Sequence, residues 1–137
     1  MTLQLIAIAF GGAFGALTRF AIGLLVHKSW VPFGLYAGTF IINSVGCFIM
    51  GLVFVLFDLK YSALTSTSET LVAARQFCMV GFLGAFTTYS SFSLDAFKML
   101  DQGQILNWGL YVFSTLIISI VALMLGVLIG KQIFITI

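Results

Sequence analysis

The sequence predicts an all-α integral membrane protein: four transmembrane helices, the third broken at its middle, in one domain spanning 1–137. Three observations predict it. Hydrophobic residues make up 61% of the chain and charged residues only 7%, where a soluble domain carries roughly 25% charged residues. The apolar residues fall into four runs, each near the 20 or so residues a bilayer core requires. The third run then changes character halfway, at GAFTTYSSFS (84–93), which holds six hydroxyls and no charge.

The first run, Leu3–Val26, begins almost at Met1 without a basic leader or a small-residue cleavage pattern, so it reads as a retained span. HKSWVP (27–32) ends it, and Pro32 suits a turn or a helix start. The second run, Phe33–Phe57, stops at DLKYS. The segment DLKYSALTSTSET (58–70) is the clearest loop, with Ser68 or Thr70 as cap of the next helix. The third run is Leu71–Leu94, closed by DAFKMLDQGQ, and the fourth is Ile105–Gly130, closed by Lys131. Trp30 and Trp108 stand near span ends, where amphipathic rings suit the headgroup layer.

Four spans put both termini on one side. Lys60, Arg75 and Lys131 lie on that side, and Lys28, Lys98 and Arg19 lie toward the other. A balanced count gives the chain little instruction about orientation. One outcome is insertion both ways up and an antiparallel homodimer; the other is a monomer or a parallel oligomer. Pairs at GxxxG spacing (Gly11 and Gly15, Gly34 and Gly38, Gly126 and Gly130) favour close helix packing. The net charge of +2 is too small and scattered for a nucleic-acid partner. Cys47 and Cys78 read as small buried hydrophobes, His27 as a headgroup-level residue, and no cysteine or histidine cluster suggests a metal motif. No nucleophile–base constellation suggests an enzyme.

Polar groups within the spans carry the functional reading. Arg19 either snorkels to the interface or stands at the mouth of an anion path. The nearest carboxylates, Asp58 and Asp95, fall at span ends, which argues against a cation path. It also argues against the alternative of a small dual-topology multidrug exporter. Asn43 lies near mid-span on a stripe with Thr39, Gly46, Cys47 and Met50. Its amide either glues two helices or turns a donor toward a passing anion. Tyr111, Thr115 and Ser119, four residues apart, form one hydroxyl line that either bonds back to the helix or faces an anion. In the third span, Gly84 and Thr87 to Ser93 are poor helix material, and a helix break at membrane depth is tolerated only where protein or a polar cavity covers it. Phe86, Tyr89 and Phe92 add ring edges, which are electropositive.

Along essentially its whole length the chain resembles the Fluc (CrcB) fluoride channels of bacteria. The resemblance is carried by GGAFGALTRF (11–20), GTFIINSVGCFIMG (38–51) and GFLGAFTTYSSFS (81–93), the last being the most specific. It implies a dual-topology antiparallel homodimer in the cell inner membrane, with two fluoride pathways and passive, selective export of fluoride. It implies a structural sodium ion held by the backbone carbonyls of Gly84 and Thr87. Its pathway residues fall on Asn43, Tyr89, Ser91, Phe92, Tyr111, Thr115 and Ser119, with its first-span arginine on Arg19. Tyr89 is a departure, since phenylalanine is usual there, and Thr115 stands where serine is expected.

Overall fold

The computed structural model describes residues 1–26, 34–62 and 68–134. The readings on His27, Lys28, Trp30 and Pro32 lie outside them. All regular structure among the described residues is helical. Helix α1 is Thr2–Val26. After a 3₁₀ turn at Gly34–Tyr36, α2 runs Ala37–Phe54 and widens into a π-helix at Val55–Lys60. Helix α3 is Glu69–Arg75, continued by π-helical Gln76–Leu83 and a last α-turn at Gly84–Phe86. Helix α4 is Tyr89–Asp101 and α5 is Ile105–Phe134. Thr2–Val26, Ala37–Lys60, Glu69–Asp101 and Ile105–Phe134 are the four helical stretches long and apolar enough to cross a membrane. The third of these is α3 and α4 together.

Three helix ends differ from the sequence reading, two of them for one reason: polar residues that find partners, here Asp58 and Asp95, do not stop a helix. Asp58, expected in a loop, lies in the π-helical end of α2, where Arg75 grips it through two nitrogens, Nε at 3.1 Å and Nη2 at 2.8 Å. Asp95, expected just past the third span, lies within α4, which continues to Asp101. The fourth span continues past Gly130 and Lys131 to Phe134. Ser68 caps α3, its hydroxyl accepting from Leu71 N–H at 3.5 Å, as one of the two expected candidates. Gly103 closes α4 at φ +71°, which frees Gln104 N–H to reach the Met99 carbonyl at 2.9 Å. A left-handed glycine with that bond is the usual helix stop.

The most buried span is α2, 28% buried against 11% for α1 and α5, so α2 is the centre of the bundle. It packs chiefly on α5, while α1 packs chiefly on the π-helical part of α3. Glycine makes both contacts possible. A Cβ on Gly126 would strike the carbonyl oxygen of Phe48, and one on Gly15 that of Phe82. Among the described residues a Cβ on Gly34 would meet nothing, while one on Gly38 would lie 3.7 Å from the Gly23 Cα, so of that expected pair only Gly38 faces a neighbouring helix. Near the α4–α5 turn a small core gathers Tyr36, Phe92, Met99 and Tyr111, and Trp108 packs against it.

Candidate functional site

The break in the third span begins with how its amides are spent. Thr87 N–H still reaches the Leu83 carbonyl at 3.0 Å, and Thr87 Oγ1 donates to the same oxygen at 2.9 Å. The chain then turns extended, with ψ 155° at Thr87 and φ −150°, ψ 115° at Thr88. Thr88 N–H donates to Asn43 Oδ1 at 2.8 Å, and Asn43 Nδ2 donates back to the Thr88 carbonyl at 3.1 Å. Thr88 Oγ1 then caps α4 by accepting from Ser91 N–H at 3.1 Å, and itself donates to Ser91 Oγ at 3.0 Å. In an unbroken helix the N–H of residue i bonds the carbonyl of i−4. Here the donors that Gly84 and Thr87 carbonyls would receive, from Thr88 and Ser91, are both diverted to side chains.

Two cavities meet at this break. The first, about 250 Å³, is lined by Asn43, Tyr89, Phe92, Thr115 and Ser119 from the expected pathway, and by Cys47, which the sequence reading had left as packing. No formally charged residue lines it. The second, about 440 Å³, is lined by Arg19, Thr39, Ser91 and Asp95. Thr88 borders both. The expected pathway residues are thus split, Arg19 and Ser91 on one side of Thr88 and the rest on the other.

Tyr111 lines neither cavity. It is fully buried, its ring 5.5 Å from that of Phe92 and 6.2 Å from that of Tyr36. Tyr89 continues the series at 5.7 Å from Phe92, but lies 77% exposed where Phe92 is 7% exposed. The aromatic ladder therefore runs from the chain's surface inward.

Asp95 is the residue the sequence reading missed. Its Oδ2 accepts from Thr39 Oγ1 at 2.7 Å and from the Tyr111 hydroxyl at 3.4 Å. The available signal was spacing: Thr88, Ser91 and Asp95, three and four residues apart, share one helical face. Arg19 lies on the same cavity, yet makes no ion pair with Asp95.

The hydroxyl line of α5 divides when its protons are followed. Thr115 Oγ1 donates to the Tyr111 carbonyl at 2.6 Å, and Tyr111 donates to Asp95. Ser119 Oγ is buried; among the described residues it has no nitrogen or oxygen partner and lies beside the Cys47 thiol, a weak acceptor on the same cavity. Asn43 Nδ2 carries two protons, of which the bond to Thr88 uses one. The neutral cavity is thus bordered by Asn43, with one amide proton uncommitted, by Ser119, whose hydroxyl oxygen is buried in its wall, and by the rings of Tyr89 and Phe92.

A four-span membrane protein with a broken helix and an uncharged, donor-lined cavity belongs to the class of small-solute membrane transport proteins. The chain belongs to the family described as CrcB-like protein, Camphor Resistance (CrcB), whose pattern matches residues 6–127. It is 39% identical over 132 residues to the fluoride-specific ion channel FluC of Hydrogenovibrio crunogenus, covering 96% of this chain and 94% of that protein. It is 35% identical to the protein of the same name from Rhizobium johnstonii, over 90% and 93% of the two chains. The Pseudomonas fluorescens protein of that name is 40% identical over 77% of this chain and 78% of its own.

Proposed function

We propose that this chain is a fluoride-selective channel of the bacterial inner membrane, exporting fluoride passively down its electrochemical gradient. Its relatives bear that name, and the observation that carries the reading here is the neutral donor set around the 250 Å³ cavity. Fluoride is small and strongly hydrated, so entry requires donors that replace water, and exit requires that none of them hold it. The Asn43 amide, the Ser119 hydroxyl and the ring edges of Tyr89 and Phe92 supply donors without a formal charge. Arg19 stands on the neighbouring cavity, where its charge faces the approach alongside the carboxylate of Asp95; Ser91 lines that approach, and Thr88 stands between it and the neutral cavity. Thr115 and Tyr111 hold the wall rather than the ion, because their protons are already committed.

The working unit in this reading is an antiparallel homodimer with two pathways. Gly84 and Tyr89 are exposed beside a helix break within a span, as are Ser90 and Ser93, whose hydroxyls bond within the chain to Thr88 Oγ1 and the Tyr89 carbonyl. Lipid cannot satisfy such backbone and hydroxyl groups, and a second copy covers them without adding another gene product. The balanced basic residues leave both orientations open. The carbonyls of Gly84 and Thr87, deprived of their helical donors, are the groups that would hold a sodium ion. Bound there, sodium would neutralise the carbonyl dipoles at the dimer centre. Freed carbonyls at a broken span are the usual intramembrane cation ligands, so these residues fit it.

Fluoride efflux from proteoliposomes under a potassium gradient with valinomycin tests the reading, with chloride as control. Rapid fluoride efflux without chloride efflux is expected. Equal movement of both ions, or of neither from a verified dimer, overturns it.

A further inference from the structure

The geometry points to a second role for Asn43: it is the positioning residue that keeps the Gly84 carbonyl open, and so couples the anion cavity to the cation site. The inference rests on the sodium reading above. The helical ladder of α3 is intact up to Thr87 N–H, which bonds Leu83. It fails at Thr88, the residue that Asn43 holds. Thr88 N–H, which in a continuous helix would close on the Gly84 carbonyl, instead meets Asn43 Oδ1 at 2.8 Å. The return bond from Asn43 Nδ2 to the Thr88 carbonyl, 3.1 Å, pins the same peptide from its other side.

Two bonds to one residue's backbone fix where the extended segment sits. Gly46, one turn along α2, makes the reach possible, because a Cβ there would strike the Thr87 methyl and lie 3.0 Å from the Phe86 ring. The amide also borders the anion cavity, into which its remaining proton is free to donate. One side chain therefore serves both ions. Without it, Thr88 N–H has a ready acceptor four residues back, and the helix would mend across the very carbonyl the cation needs. The competing account is that Thr87 and Thr88 keep the break open by themselves, through the Thr87 back-bond and the Thr88 cap.

Thermal unfolding of the purified dimer distinguishes the two accounts, measured in sodium and in N-methylglucamine chloride at equal ionic strength. A ligand that binds only the folded state raises Tm with concentration. Wild type is expected to show a sodium-dependent rise. Asn43→Ala is expected to lose it, or to need at least tenfold more sodium. Asn43→Asp retains an acceptor for Thr88 N–H, so it should keep the sodium response while its added charge stops fluoride efflux. Asn43→Ala with the wild-type sodium response overturns the inference and leaves the sodium reading standing. A wild-type dimer indifferent to sodium removes the sodium reading, and the inference with it. Should Asn43→Ala not give a folded dimer, Asn43→Leu, which fills the space but makes neither bond to Thr88, decides: a lost sodium response supports the role, and a wild-type response overturns it.

Discussion

Ser119→Ala should make the protein more stable and a poorer conductor. Ser119 Oγ is buried and, among the described residues, has only the weakly accepting Cys47 thiol beside it. A buried hydroxyl left unsatisfied costs about 1–3 kcal/mol. Removing the oxygen relieves that cost and leaves only a hydroxyl-sized gap, so the net gain should be about 1 kcal/mol. Conduction should move the other way. A hydrogen bond to a charged group contributes about 1.5–3 kcal/mol, and each 1.4 kcal/mol is about tenfold. If a passing fluoride takes the Ser119 proton at its slowest step, efflux should fall about 10- to 100-fold. Proteoliposome efflux gives the first quantity, and unfolding of the same dimer by heat or denaturant gives the second. A variant that conducts at the wild-type rate refutes the donor role. One that is slower and also less stable shows that the hydroxyl was packing.

Thr115→Val, only four residues away on the same line, should behave differently. Its proton is already spent on the Tyr111 carbonyl, so efflux should stay within about threefold and stability should fall by about 1 kcal/mol or less. Tyr89→Phe should retain fluoride efflux, since Tyr89 lines the cavity through a ring that either residue supplies; a dead variant would assign the work to the phenol. Gly126→Val should lower folded yield and cost about 1–3 kcal/mol, because the added Cβ meets the Phe48 backbone. Size-exclusion profiles and unfolding curves read that loss, and a wild-type profile would mean that α2 and α5 can part without penalty.

The four spans and the weak point of the third were legible because they depend on local composition. Glycine, two threonines and three serines in one stretch announce a poor helix wherever they sit. What repairs the break was not legible. That required knowing that Asn43, 45 residues earlier, lies opposite Thr88. The stripe through Asn43 did place it on a face with Thr39 and Cys47, which now border the two cavities. The hydroxyl line of α5 was visible as a face, but spacing does not say where protons point. Span ends were misplaced at Asp58 and Asp95 because an apolar run cannot see a partner in another helix. The inward-facing Asp95 also removes the argument drawn from an absence of carboxylates. Family membership, rather than that absence, now separates this chain from a multidrug exporter.

The length of α5 bears on the lipid around it. Its first polar residue, Asn107, and its basic end, Lys131, are 24 residues apart, which is about 36 Å of helix. The hydrocarbon of an average bilayer is about 30 Å thick. A helix anchored at those two points must lean by about 30° or carry a turn into the headgroups. Its leaning would also turn the face that bears Thr115 and Ser119. Acyl-chain length is therefore a variable acting on the cavity wall from outside, and conduction compared in thin and thick bilayers would read it.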